Sequence, residues 1–381
     1  MPQNQYDIPF NKPWISGNEH RYMAQAVNAG HISGDGAFTQ RCSRVLEEWL
    51  GAKRVLLTTS CTHALEMSAL LLDLKPGDEI ILPAFTFVST ANAFALRGAR
   101  PVFADIRPDT LNIAEQRIEE LITPKTRAIV PVHYAGVGCE MDAILEIARA
   151  HGLEVIEDNA HGLLGRYRGR MLGAFGGMAT QSFHETKNFT CGEGGALALN
   201  QERWIEPAEI LREKGTNRSR FFRGQVDKYT WVGLGSSYLP SDVLAAFLLA
   251  QLESHTCIQQ RRREIWERYL QELRPWAEAL GVGLPVVPPD CEPSYHLFYL
   301  LLPDLERRSG LIEHLKQRRI LAVFHYQPLN TSEMGLRFGS RPGDCPVAEQ
   351  TADRLVRLPF YNGLTREDQY RVIEAVCSFQ Y

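Results

Sequence analysis

The sequence predicts an α/β protein: a large domain built on a mostly parallel sheet with helices on both faces, then a small α+β C-terminal domain. Between residues 55 and 200, short apolar runs rich in β-forming residues alternate with segments of helical spacing. After residue 200, long helical segments dominate. The 381 residues, 44% of them hydrophobic, are enough for two cores. We therefore expect a large domain over 1–250, including the N-terminal segment, and a small domain over 251–381.

The alternation in the first part of the chain indicates βαβ units. The predicted strands are 54–60, 79–83, 100–106, 126–134, 153–160, 178–183 and 194–200. The helical segments between them are 62–74, 86–98 and 141–152. A succession of strand, helix and strand favours parallel neighbours joined by crossover helices. The last run, 194–200, is the exception, because a short glycine-rich loop predicts that it pairs back onto the strand before it.

The second part of the chain is mainly helical. Residues 202–215 and 241–280 have helical spacing, and we expect the second stretch to continue from the large domain into the small one. Two strand-like runs, 295–303 and 320–328, enclose a helical segment at 309–319. This pattern predicts an α+β tail domain.

Composition excludes several classes of protein. The formal charge is −4 and no basic stripe indicates nucleic-acid binding. The longest strongly apolar run, 243–250, is too short to cross a bilayer, and residues 1–14 lack the apolar core of a signal peptide. The eight cysteines are scattered without a C-x-x-C pair, which is typical of reduced thiols in a cytoplasmic protein and not of a zinc site.

The segment "TSCTHAL" (59–65) ends a predicted strand and opens a helix. A helix N-terminus presents unpaired N–H groups and a partial positive charge, so it suits a phosphate. The hydroxyls of Ser60 and Thr62 and the N–H of Cys61 are the candidate donors. The alternative is that these residues only cap the helix.

Two ionisable residues also follow predicted strands. Asp158 ends the strand in "VIEDNAH" (155–161), where a carboxylate needs a partner, and a protonated pyridine nitrogen is a good one. Lys187 follows "MATQSF" (178–183) by four residues, on a loop before a glycine cluster. An amine held there is a candidate for Schiff-base formation. A helix-capping aspartate and an ordinary surface lysine are the alternatives.

The order of these features indicates pyridoxal 5'-phosphate. Phe87 lies just past a strand end, where its ring could cover a flat cofactor, although a core phenylalanine is the alternative. Phosphate cup, aromatic ring, carboxylate and lysine then follow one another at the carboxyl ends of strands, where open α/β sheets bind ligands. This set of groups is what a pyridoxal phosphate enzyme requires.

The stretch "SFHETKNFTCGEGG" (182–195) resembles the lysine segment of the DegT/DnrJ/EryC1/StrS family of sugar aminotransferases. The segments at 30–42, 78–106, 131–136 and 324–329 are also similar to that family, so the resemblance covers nearly the whole chain. It implies the aspartate aminotransferase fold (fold type I of pyridoxal phosphate-dependent transferases) and a homodimer with shared active sites.

The resemblance also implies site residues. Lys187 matches the catalytic lysine that carries the cofactor, and Asp158 matches the partner of the pyridine nitrogen. The remaining cofactor-binding positions are Cys61, Thr62 and Ser182 at the phosphate, Phe87 stacked on the ring, His161 beside the cofactor, and Ser237. Relatives carry Asn in a "GYNYR" motif that reaches the partner subunit's phosphate, and Ser237 in "GSSYL" departs from it. Asn330 likewise replaces a histidine of the family pattern.

The segment 211–242 resembles family members that transfer an amino group from L-glutamate to C4 of dTDP-4-dehydro-6-deoxy-D-glucose. This resemblance implies a galacto product used for enterobacterial common antigen, a branch of lipopolysaccharide-type biosynthesis. Three alternatives stay open: the C4 epimer, amination at C3 of a 3-keto sugar nucleotide, and a non-catalytic regulator that binds the cofactor or the sugar nucleotide. A dehydratase is disfavoured because such relatives carry histidine in place of the lysine.

Overall fold

A computed structural model describes residues 6–380. The strands are β1 Arg54–Thr58, β2 Glu79–Pro83, β3 Arg100–Ala104, β4 Thr126–Ile129, β5 Glu154–Asp158, β6 Arg166–Tyr167, β7 Arg170–Met171, β8 Met178–Ser182, β9 Gly195–Leu199, β10 Cys291–Glu292, β11 Tyr299–Leu301 and β12 Leu355–Arg357. The helices are α1 Glu19–Asn28, α2 Ala37–Leu50, α3 Cys61–Leu71, α4 Val88–Ala95, α5 Met141–His151, α6 Ile205–Arg212, α7 Arg218–Phe222, α8 Asp242–Glu253, α9 His255–Leu280, α10 Leu305–Gln317, α11 Glu333–Arg337, α12 Pro346–Arg354 and α13 Arg366–Cys377.

A seven-stranded sheet in the order β1-β9-β8-β5-β4-β2-β3 forms the centre of the large domain. Neighbouring strands from β3 to β8 are parallel, whereas β9 is antiparallel to both β8 and β1. The predicted pairing of β9 back onto β8 is therefore confirmed. Because β9 runs in the opposite direction, its first residue, Gly195, pairs with the last residues of its neighbours, Thr58 and Ser182.

Alternating side chains place the two faces of this sheet in different cores. In β1, Leu56 packs with helix α3 in one hydrophobic cluster, whereas Val55 and Leu57 pack with α2 and α8 in another. Successive strand residues point to opposite faces, so a strand covered on both sides reads as an unbroken apolar run. This burial explains why the sequence identified the strands of the large domain.

A separate core, called the second core below, lies away from the seven-stranded sheet and surrounds α9, α10, α13 and the β11–β12 pair. Helix α9 takes part in both cores, because Ile258 packs in the large domain and Ile265 in the second core. Ile8 also packs in the second core, although the sequence assigned the N-terminal segment to the large domain. The stretch predicted as one helix over 241–280 divides at Ser254, whose hydroxyl donates to the carbonyl of Ala250 (2.9 Å).

The strand predicted over 320–328 is wrong. This stretch forms only two isolated bridges, Ile320 with Ile8 and Val323 with Arg357, so no ladder develops. Beyond Val323 the chain turns His325 and Tyr326 towards the large domain, where the ring of Tyr326 lies 5.5 Å from that of Phe85. Tertiary contacts of these aromatic residues replace strand pairing.

Within residues 6–380, no helix combines the length and the apolar character that crossing a membrane requires.

Candidate active site

The N-terminus of α3 lies at the carboxyl edge of the sheet. Ser60 caps the helix, and its hydroxyl accepts a hydrogen bond from the N–H of His63 (3.1 Å). The capping interpretation therefore applies to Ser60, although its own O–H remains able to donate. The Thr62 hydroxyl donates to Ser89 at the start of α4 (2.8 Å). The first turn of α3 therefore presents backbone N–H groups in a region of partial positive charge.

Asp158 is buried at the end of β5. One carboxylate oxygen accepts a hydrogen bond from the hydroxyl of Thr90 (2.8 Å), and the other accepts one from the N–H of Ala160 (3.2 Å). A buried carboxylate with these two donors keeps room for one further donor. Asp158 also acts on Lys187, because its negative charge favours the protonated amine.

Lys187 lies on the loop between β8 and β9 and is half-buried. Removal of its amine from bulk water lowers the pKa of Lys187 to about 8. The positive charge of Arg357 acts in the same direction, and the negative charge of Asp158 opposes it. At pH 7 about a tenth of this amine is therefore uncharged, roughly 300-fold more than for a lysine in water, and the uncharged form is the one that nucleophilic attack requires.

A group of imidazole and phenol rings lies beside this pair. The ring of His161 stacks on that of His296 with 4.1 Å between centroids, and the ring of His325 is 6.2 Å away. Burial holds the pKa of each of these three histidines well below the usual value, so they are neutral. The Nδ1 atom of His161 is buried without a hydrogen-bond partner, and its Nε2 lies 3.5 Å from the Tyr326 hydroxyl.

Phe87 stands at the entrance to α4 with 56% of its surface exposed. Its ring lies 6.2 Å from that of Tyr326, which places it at the edge of the aromatic group. The exposure contradicts the core-phenylalanine alternative. The ring face of Phe87 is thus free to cover a planar ligand.

Two predicted residues lie at the margin of the site. Ser182 ends β8 and pairs with Gly195, which abuts the Ser60–Cys61 peptide at the start of α3. Ser237 is exposed and bridges to Glu213. It precedes Tyr238, whose carbonyl accepts the N–H of Thr59 (3.0 Å), so this segment is anchored near α3 while Ser237 itself faces outward.

The arrangement fits the predicted pyridoxal phosphate. The α3 N-terminus suits its phosphate, the remaining acceptor capacity of Asp158 suits a protonated ring nitrogen, and the unpartnered Nδ1 of His161 suits a polar ring substituent. The sequence did not identify Thr90, His296 or Arg357. Thr90 lies three residues after Phe87, which is a detectable spacing, but the other two reach the site from the small domain and leave no local signal.

Comparison with known proteins places these features in a family. The pattern of the DegT/DnrJ/EryC1/StrS aminotransferase family matches residues 13–377. The spore coat polysaccharide biosynthesis protein SpsC of Bacillus subtilis is 34% identical over 377 residues, 97% of this chain and 96% of SpsC. The crystal structure of the aminotransferase TlmJ from Streptoalloteichus hindustanus has 30% identity and a TM-score of 0.89, covering 97% of this chain and 98% of TlmJ. Spr1654 of Streptococcus pneumoniae, in its PLP form, has 26% identity, a TM-score of 0.89 and coverage of 98% on both chains.

Proposed function

Because the chain belongs to the DegT/DnrJ/EryC1/StrS aminotransferase family, we propose that it transfers the amino group of L-glutamate to C4 of dTDP-4-dehydro-6-deoxy-D-glucose. The products are dTDP-4-amino-4,6-dideoxy-D-galactose and 2-oxoglutarate. The observation that carries the proposal is the position of Lys187 at the carboxyl edge of the sheet. There its amine has a lowered pKa and interacts electrostatically with Asp158. Relatives named for polysaccharide biosynthesis support a sugar substrate. The segment 211–242, which resembles C4 aminotransferases, supports the choice of C4.

The predicted fold type I and the predicted cofactor, pyridoxal 5'-phosphate, are confirmed by the family and by solved relatives. When bound, pyridoxal phosphate supplies an electron sink for the substrate carbon and carries the amino group between the two substrates. We assign Lys187 to its covalent attachment and Asp158 to its ring nitrogen. The other proposed contacts are Cys61, Thr62 and Ser182 to the phosphate, Phe87 to the ring face, and His161 to the ring edge.

Side chains of this protein transfer the proton at the reacting carbon and hold the proton on the ring nitrogen. Lys187, with a pKa of about 8, accepts and returns a proton at the reacting carbon near neutral pH. Asp158, fixed by Thr90 and Ala160, holds a proton on the ring nitrogen. The neutral histidine stack of His161 and His296 excludes water from one side of the site without adding a competing charge.

A homodimer with shared active sites is part of the proposal. The segment from α7 to Ser237 exposes large apolar side chains, among them Phe222 (69% exposed) and Trp231 (75%). Several exposed large apolar side chains in one segment are typical of a protein interface. We propose that Ser237, at the end of this segment, donates to the phosphate in the partner subunit. We also propose a cytoplasmic location, which the eight free cysteines support.

The test is incubation of the holoenzyme with L-glutamate and dTDP-4-dehydro-6-deoxy-D-glucose, followed by NMR of the product at C4. We expect an axial amine at C4 in the product, and a change of the cofactor's visible absorbance when glutamate alone is added. Lys187→Ala should abolish turnover while leaving the circular dichroism spectrum unchanged, because one amine both holds the cofactor and moves the proton.

Each alternative has its own signature. An equatorial amine would identify the C4 epimer as the product, and turnover only with a 3-keto sugar nucleotide would identify a C3 aminotransferase. Tight binding with no absorbance change on addition of glutamate would point to a regulator. Near-normal turnover of the Lys187→Ala variant would remove this lysine from the mechanism.

A further inference from the structure

Arg357, the last residue of β12, is a cation that has no acidic partner among residues 6–380. Within the same residues, its Nε is buried without a hydrogen-bond partner. One terminal nitrogen donates to the carbonyl of Phe324 (3.3 Å), and the guanidinium carbon lies 4.6 Å above the ring of Phe10. A guanidinium in this setting favours an anion that would restore the lost solvation.

The side chain of Arg357 shares the face of β12 that is directed towards the large domain. Leu355 packs in the large-domain core, whereas Val356 between them packs in the second core. Directly opposite Arg357 on β11 is Tyr299, whose ring lies 6.0 Å from that of Tyr134. The Tyr134 hydroxyl in turn lies 2.7 Å from Nδ1 of His325 in the site. The backbone register therefore directs this cation to the ring cluster.

A second chain of contacts joins Arg357 to the lysine loop. Phe10, on which the guanidinium rests, precedes Asn11, whose amide donates to the carbonyl of Glu185 (3.2 Å). Glu185 is two residues from Lys187. The positive charge of Arg357 also helps to lower the pKa of Lys187, His161 and His325, which agrees with a position close to the site.

The proposed reaction brings two kinds of anion to the site. The amino donor carries a carboxylate on the carbon from which Lys187 takes the proton, whereas the diphosphate of the sugar nucleotide is attached at C1, across the sugar ring from C4. A planar guanidinium fork matches a carboxylate with two parallel hydrogen bonds. A cation directed to the ring cluster beside Lys187 therefore suits the small acid better than the diphosphate.

We propose that Arg357 binds a carboxylate of the amino donor, L-glutamate, and so selects an acidic amino acid for the first half of the reaction. This inference rests on the proposed function. Phe324 and Phe10 hold the guanidinium in position, and the carboxylate takes the place that water occupies on a surface arginine. Arg357 is thus a specificity residue supplied by the small domain.

The test compares holoenzymes carrying Arg357→Gln, Arg357→Lys and the control Arg308→Gln. Arg308 is a half-buried arginine of the same domain, with its guanidinium 5.9 Å from the ring of Phe324, so its loss removes an equal charge nearby. The readouts are the glutamate concentration that half-saturates the absorbance change, and the affinity for glutarate, a dicarboxylate that has no amine, measured by calorimetry. Binding of dTDP is measured in parallel.

We expect Arg357→Gln to weaken both glutamate and glutarate about 10- to 100-fold, the loss of a charge-assisted bidentate contact. Arg357→Lys should recover part of this loss, while Arg308→Gln and all dTDP affinities stay at the wild-type value. The lysine variant keeps the positive charge, so it still tests the proposal if the glutamine variant does not fold.

The results separate this inference from the function on which it rests. If glutamate changes the wild-type spectrum and half-saturates Arg357→Gln at the same concentration, the inference alone is overturned. The same follows if Arg357→Gln loses dTDP and keeps glutarate, because the arginine would then serve the nucleotide. If glutamate leaves the wild-type spectrum unchanged, the proposed donor is wrong and the inference falls with it.

Discussion

At the scale of single residues, Lys187 shows how burial and nearby charge oppose each other. Desolvation and Arg357 favour the neutral amine, whereas the charge of Asp158 favours the protonated one, and the balance lowers the pKa of Lys187 to about 8. Burial also raises the pKa of the Cys61 thiol to about 12, so this cysteine is a neutral thiol at physiological pH. Asp158 therefore supplies the negative charge in the site, and Lys187 the titratable amine.

The lowered pKa of Lys187 predicts a pH dependence of stability in the cofactor-free protein. Between pH 8 and 10.5 the unfolded chain keeps the proton that the folded chain has lost, so this residue makes the free energy of unfolding rise with pH over that window. Below pH 8 both states are protonated and its unfavourable contribution is constant. Urea unfolding at a series of pH values should show a shallower rise for Lys187→Met than for the wild type, and parallel curves would contradict the pKa shift.

The sequence predicted candidate site residues that follow strands of the seven-stranded sheet. Asp158 and Lys187 could be predicted because parallel strands place their carboxyl ends at one edge and because a charge at such an end needs a partner. Arg357 and His296 could not, since Arg357 follows and His296 precedes apolar residues in the C-terminal part of the chain, and the role of each depends on contacts across the two cores. Their chemistry is a product of tertiary packing.

At the scale of elements, the antiparallel strand β9 supports the start of α3. A Cβ atom added to Gly195 would lie 2.4 Å from the nitrogen of Cys61 and 2.3 Å from the carbonyl carbon of Ser60. No side chain fits there, so the closeness of strand and helix fixes the N–H groups at the first turn. The glycine cluster of the sequence therefore serves close backbone approach at this position.

Gly195→Ala should weaken retention of pyridoxal phosphate and cost about 1–3 kcal/mol of stability, because backbone atoms must shift to admit the methyl group. Equilibrium dialysis of the cofactor and urea unfolding measure the two effects. Gly363→Ala is the control, since an added Cβ there would meet only a side-chain carbon at 3.9 Å. Equal cofactor retention in the two variants would show that the first turn of α3 tolerates displacement.

The strands of the seven-stranded sheet were predicted, whereas the helices α1 and α2 and the short strands β6 and β7 were not, and the strand predicted over 320–328 is wrong. The large-domain strands are buried on both faces, so their apolar runs stand out, and the predicted runs only exceed the observed strands at their ends. The run over 320–328 is equally apolar, but its aromatic residues are used for contacts with the large domain and it pairs with two different segments in turn. Periodicity alone does not distinguish these two uses of apolar residues.

At the scale of the whole molecule, the exposed apolar segment predicts self-association. Trp231→Asp should convert the proposed dimer to a monomer and lower turnover, because a carboxylate cannot be buried at an interface without a partner. Sedimentation velocity gives the mass directly. Leu305→Asp, at a 46% exposed leucine of the small domain, should leave the mass unchanged. A Trp231→Asp variant that sediments as the wild type would place the interface elsewhere.

Helix α9 has a consequence for how the chain melts. Its 26 residues span about 39 Å, with Ile258 in one core and Ile265 in the other, and the break at Ser254 lies before both. Unfolding of either core would expose apolar residues of the same helix, α9. The two domains are thus thermodynamically coupled, and heat should disrupt them in one cooperative transition instead of two.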